Sequence, residues 1–273
     1  MKQFLTIIFS LVLFCLSAQK LTLVGIEENR SQSGSWDYCK VEVKPIGDEV
    51  RNFSFYKITE VKKAADNKGI NLLSETQEPS KYKPVNESII IQLQKASRSA
   101  STISLDGVVS FFKPTEANGG IVKISDFRKK AEVNLAPKNA PYGLFYYDKA
   151  ALQKLNKTDL ETRYKEIEKL PEGEKDFAYN VGSLVTNLSY YSEEDIEKAI
   201  FLVFKGDASS VMSLEFEDAK GKKIANISSS VSNNVHTYFF SDNLEPGIKL
   251  LLNVDSPKAV KNVPFVLAGV DLP

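Results

Sequence analysis

A period of two runs through most of this chain and constrains its fold more than any other feature. In Cys39-Lys40-Val41-Glu42-Val43 the apolar residues share one face and the charges take the other. Ser88-Ile89-Ile90-Ile91-Gln92-Leu93 is the clearest strand-like run. Alternation of this kind, rich in β-branched and aromatic residues, marks half-buried strands. It predicts strands near 21–26, 38–45, 53–62, 87–95, 101–113, 119–126 and 131–136. Asn67-Lys68-Gly69 and Asn118-Gly119-Gly120 supply residues that tolerate the backbone of tight turns. Strand patterns return at 200–204, 211–216, 224, 235–240, 249–254 and 264–270, with the Ser- and Asn-rich stretch 228–234 read as a loop.

Between 145 and 200 the pattern changes. Asp148 is placed to cap a helix over 149–155. Thr158 precedes Glu161 by three residues, a capping-box spacing for a second helix over 159–170 that Pro171 ends. Ser192 before Glu193-Glu194-Asp195 marks a third, short helix with an acidic first turn. The expected architecture is therefore mainly β: two antiparallel β-sandwich, immunoglobulin-like domains over 19–145 and 199–273, joined by a helical bridge over 146–198. The stretch 71–87, with Pro79 and Pro84, reads as a long exposed loop.

The N-terminus adds a compartment. Lys2, an apolar run from Phe4 to Leu16, and the small residues Ser17 and Ala18 have the layout of a secretory signal peptide over 1–18. The chain is then exported, to the periplasm or the medium. Lipid anchoring at Cys15 is the less favoured alternative, because Phe14 stands where lipoprotein processing requires a small residue. Removal of the leader leaves a nearly neutral chain of acidic and basic residues in balance. Such a charge implies no nucleic-acid partner, and no later apolar run is long enough to span a bilayer. Cys39 then stands alone without a disulfide, and a buried small hydrophobe is its simplest role.

Several stretches resemble a group of exported bacterial proteins without assigned function. They are Ile58-Thr59-Glu60-Val61-Lys62-Lys63-Ala64-Ala65-Asp66-Asn67-Lys68-Gly69, Leu105-Asp106-Gly107, Val122-Lys123-Ile124-Ser125-Asp126-Phe127, the turn-bearing run through Asp218-Ala219-Lys220-Gly221, and Val263-Pro264-Phe265-Val266-Leu267. The leader ending Leu16-Ser17-Ala18-Gln19 is similar to those of Bacteroidota secretory proteins. The resemblance implies β-sandwich modules and export, and it brings no catalytic residue with it.

Chemistry is sparse. His236 is the lone histidine, too few for a zinc site, and no Gly-x-Ser-x-Gly elbow occurs. Asp66-Asn67-Lys68-Gly69 and Asp218-Ala219-Lys220-Gly221 have oxygen ligands of the kind calcium takes, but their lysines favour a plain turn. No metal and no cofactor is expected. Aromatic residues are the best candidates for recognition: Trp36, Tyr38, Tyr146, Tyr147, Tyr190 and Tyr191. They serve either to pack a domain junction or to anchor a partner. The function expected is non-catalytic binding of an envelope or extracellular protein, with carbohydrate binding or processing as the alternative.

Overall fold

The computed structural model describes residues 21–30, 37–74, 79–156 and 159–273. The expected leader with Cys15, and Trp36, lie outside the described residues. In chain order the strands and helices are β1 (Leu21–Asn29), β2 (Tyr38–Pro45), β3 (Phe55–Asp66), β4 (Lys83–Pro84), β5 (Ile89–Leu93), β6 (Thr102–Phe112), β7 (Ile121–Ile124), β8 (Tyr142–Tyr147), α1 (Lys149–Asn156), α2 (Leu160–Ile167), α3 (Glu172–Asn187), α4 (Glu193–Glu197), β9 (Ala199–Gly206), β10 (Val211–Glu217), β11 (Lys223–Ile224), β12 (Ser228–Ser232), β13 (Val235–Phe239), β14 (Lys249–Val254) and β15 (Val260–Asp271). The fold is mixed, with several small antiparallel sheets and helices. No helix among the described residues is long and apolar enough to cross a membrane.

The chain divides into two compact units, Met1–Asn118 with Ser256–Pro273, and Gly119–Asp255. These differ from the boundaries read from the sequence. The helices of 146–198 fall inside the second unit, and β15 returns to the first.

In the first unit one sheet runs β1-β2-β5 and the other β15-β6-β3-β4. The alternating pattern explains both. Cys39, Val41 and Val43 of β2 and Ile89, Ile91 and Leu93 of β5 are buried, while Lys44 and Ile90 face out. Their inward residues form one core with Tyr56, Ile103, Leu105, Phe111 and Phe265 of the second sheet. Each large apolar side chain buried there contributes about 2 kcal/mol. Gly107 of β6 is required by space: a Cβ would strike the Glu60 carbonyl and lie 2.8 Å from the Phe265 ring. Bulges in β3 at Ile58/Glu60 and Val61/Lys63 flank that approach.

The second unit has three layers. Sheets β11-β10-β14-β7 and β12-β13-β9-β8 enclose a core in which Phe216 meets Tyr238, Phe240 and Phe127 at ring separations of 5.0, 5.3 and 6.5 Å. On the other face of the second sheet, Phe201 and Val203 pack with Leu152, Leu184, Val185 and Leu188 of the helical layer. This explains why Ala199–Phe204 is apolar without alternation: β9 is buried on both faces. The helices therefore roof a sheet, where the sequence suggested a bridge between β domains.

Local signals held at two helix starts. Asp148 Oδ1 accepts from the Ala151 amide at 2.8 Å, and Ser192 and Asp195 form a reciprocal capping box. In α2 the cap is Asp159, accepting from the Thr162 amide at 2.9 Å. Pro171 ends nothing for long, since it is itself the residue that leads into α3. Two readings are corrected. The stretch 131–136 makes isolated bridges and no strand, with Glu132 at a φ of 63°. The Ser-rich stretch forms β12, turned back onto β13 across Asn233 at a φ of 52°.

Candidate functional site

The aromatic candidates are dispersed among different environments. Tyr146 and Tyr147 point from opposite faces of β8, and both are buried. Tyr146 packs edge-on against Phe127 at 5.4 Å, and Tyr147 belongs to the core beneath α1 and α3. Burial pushes both phenols above their ordinary pKa, Tyr147 to about 12. Both border a recess of about 220 Å³ with Arg128, Asp148, Lys149 and Glu197. Lys149 is held there by Glu197 at 2.8 Å. Tyr191 lies 4.9 Å from Phe239 and borders a recess of only about 40 Å³. Tyr190 is 81% exposed.

Tyr38, in the first unit, is the candidate that lines a sizeable cleft. Its hydroxyl donates to Glu27 Oε1 at 2.6 Å, and the Lys40 ammonium covers one face of the ring at 4.2 Å. The cleft measures about 540 Å³, and Asp37, Glu60, Val61, Ser74, Ser80, Ile90 and Gln92 also line it. It lies between β5, an edge strand, and β3. The Gln94 amide just past β5 donates to the Leu72 carbonyl at 2.8 Å. Ser80 engages Ile58 of β3 twice, amide to carbonyl at 3.0 Å and hydroxyl from the Ile58 amide at 2.8 Å. Between these ends no described strand lies beside β5 on its outer edge. Asp37 is tied to Lys95 at 2.5 Å. The suspected loop 71–87 thus supplies Ser74, Pro79 and Ser80 to this cleft, while 75–78 lie outside the described residues.

Sequence reasoning missed the cleft as a site. Its signal was present in Ser88–Gln94, which puts three isoleucines into a strand with no proline and no charge. Natural sheet edges usually carry such residues to deter pairing.

The remaining chemistry is structural. Burial works to raise the pKa of Asp66, but amide donors from Ser97, Ile70 and Lys68, each at 2.9 Å, outweigh it and hold the carboxyl low. Asp218 likewise accepts from Lys220 and Lys222 amides at 2.8 Å. Both aspartates staple their turns with oxygens that a cation would otherwise need. His236 sits 5.1 Å from the Phe204 ring with its Nδ1 buried and unpartnered, and burial lowers its pKa to about 4. Among the described residues no group of three or more His, Cys, Asp or Glu side chains converges on a point.

The chain matches no protein-family model, no curated protein and no solved structure.

Proposed function

We propose that this is an exported, non-catalytic protein of β-sandwich modules that binds another envelope or extracellular protein through the first unit. One observation carries the reading: β5 is an apolar edge strand without a gatekeeping charge, and it opens onto a cleft of about 540 Å³. An extended segment of a partner laid along such an edge gains main-chain hydrogen bonds and places alternate side chains in the cleft. Tyr38, Ile90 and Gln92 line the place where those side chains would rest. The pairing of two sheets around one core in each unit supports the sandwich reading.

The carbohydrate alternative draws less support. A sugar-stacking platform needs exposed ring faces, and Tyr146 and Tyr147 are buried.

Affinity capture from a native envelope fraction tests the proposal, comparing the wild-type chain with Ile90→Lys. Ile90 is 57% exposed, so the substitution adds an edge charge while the core stays intact. A partner recovered by wild type and lost with Ile90→Lys is the expected result. A partner retained equally by both would remove the β5 edge from the reading.

A further inference from the structure

The cleft beside β5 carries charge of one sign. Asp37 and Glu60 are its charged lining residues, and no Lys or Arg among the described residues lines it. Asp37 is tied to Lys95 at 2.5 Å. Glu60 differs: its side chain is exposed, and its carboxylate has no ion-pair or hydrogen-bond partner among the described residues. Lys62 and Lys63 follow it on β3 but do not line the cleft. Lys57, three residues before it, covers the Tyr82 ring at 4.3 Å.

Apolar surface accompanies that carboxylate. Ile58 and Val61, from the same strand as Glu60, line the cleft with Ile90 of β5. β5 is 5 residues long, about 17 Å at the rise of a strand. A guest strand beside it turns about two or three side chains toward β3. A Lys or Arg among them lays its aliphatic stem on apolar surface and keeps its charged head at the rim. A carboxylate at that rim holds the head by charge-assisted hydrogen bonds. An acidic side chain in the same place would meet a like charge instead.

We propose, resting on the edge-strand reading above, that the segment captured by β5 is cationic: alternating apolar residues with one Lys or Arg whose charge meets Glu60. A phage library of short random peptides, selected on the purified chain, tests this. The expected result is enrichment of alternating apolar sequences that share one Lys or Arg in register. Binding of the leading peptide, followed by fluorescence anisotropy, should weaken about fivefold with Glu60→Gln, the upper range for an exposed ion pair. Changing the peptide's basic residue to Gln should cost as much, and both changes together no more than either alone. Sodium chloride at about 0.5 M should shrink the difference. Alternating sequences with no basic residue in common, or affinities that Glu60→Gln leaves unchanged, would overturn this proposal and leave the edge strand standing. No enriched sequence, or enrichment undiminished on Ile90→Lys, would overturn the edge-strand reading and this proposal with it.

Discussion

Protonation of His236 should unlock the second unit in mild acid. In the unfolded chain this imidazole takes up a proton near pH 6.5, and in the folded chain only near 4, because burial disfavours its charged form. The stability it permits is therefore full above pH 6.5 and is lost progressively as pH falls from 6.5 to about 4. Each unit of difference is worth about 1.36 kcal/mol, so the whole window is worth up to about 3 kcal/mol. The lowered carboxyls of Asp66 and Asp218 lose their contribution at lower pH, through and below the ordinary carboxylate range. That separates the two effects. Hydrogen exchange read by mass spectrometry on β9 and β13 peptides reports the second unit alone, since His236 pairs across to Leu202. Protection of those peptides should fall by up to about two orders of magnitude between pH 7 and 4.5, after correction for intrinsic exchange. His236→Phe, which suits the ring contacts with Phe204 and Tyr238, should remove that dependence. An unchanged pH profile in the Phe variant would refute the assignment to His236.

Other consequences are as direct. Gly107→Ala should destabilise the first unit by about 3 kcal/mol in urea unfolding, because its methyl meets backbone as well as the Phe265 ring. Phe216→Ala should cost the second unit about 3–5 kcal/mol, since the ring is the meeting point of three other aromatics. Cys39, fully buried and with its thiol pushed up to about 11 chiefly by burial, should resist thiol reagents in the folded chain at pH 8, where about one thiol in a thousand is ionised. Labelling on mixing, without denaturant, would contradict its burial.

The sequence displayed what is local and concealed what is distant. β2 and β5 show their buried faces by alternation, and Asp148 and Ser192 announce their helices, because these signals act within a few residues. β15 looked like part of the last domain. It pairs instead with β6, Val263 opposite Val109, a contact across some 150 positions that no local pattern encodes. Helix α3 carries Phe177, Val181, Leu184 and Val185 at helical spacing, with Leu188 just past its end. Gly173, Gly182, Thr186 and the valines lower its propensity and masked it, and burial against β9 overrides them. β12 is Ser-rich and exposed along its length, so only its ladder with β13 defines it. As for the candidate site, the tyrosines were legible as residues, but which of them would be buried depended on β8 lying between two cores. The cleft beside β5 depends on which strand ends a sheet, and alternation alone does not tell an edge from a centre.

The most direct test of edge-strand binding is a photo-crosslinking side chain placed at Ile90 and, as control, at Lys44, which is also exposed but sits on the inner strand β2. Irradiation in the native envelope, followed by mass spectrometry of the adducts, should give a single protein adduct from position 90 and none from position 44. An identical adduct pattern from both positions, or no protein adduct at 90, would contradict binding along β5.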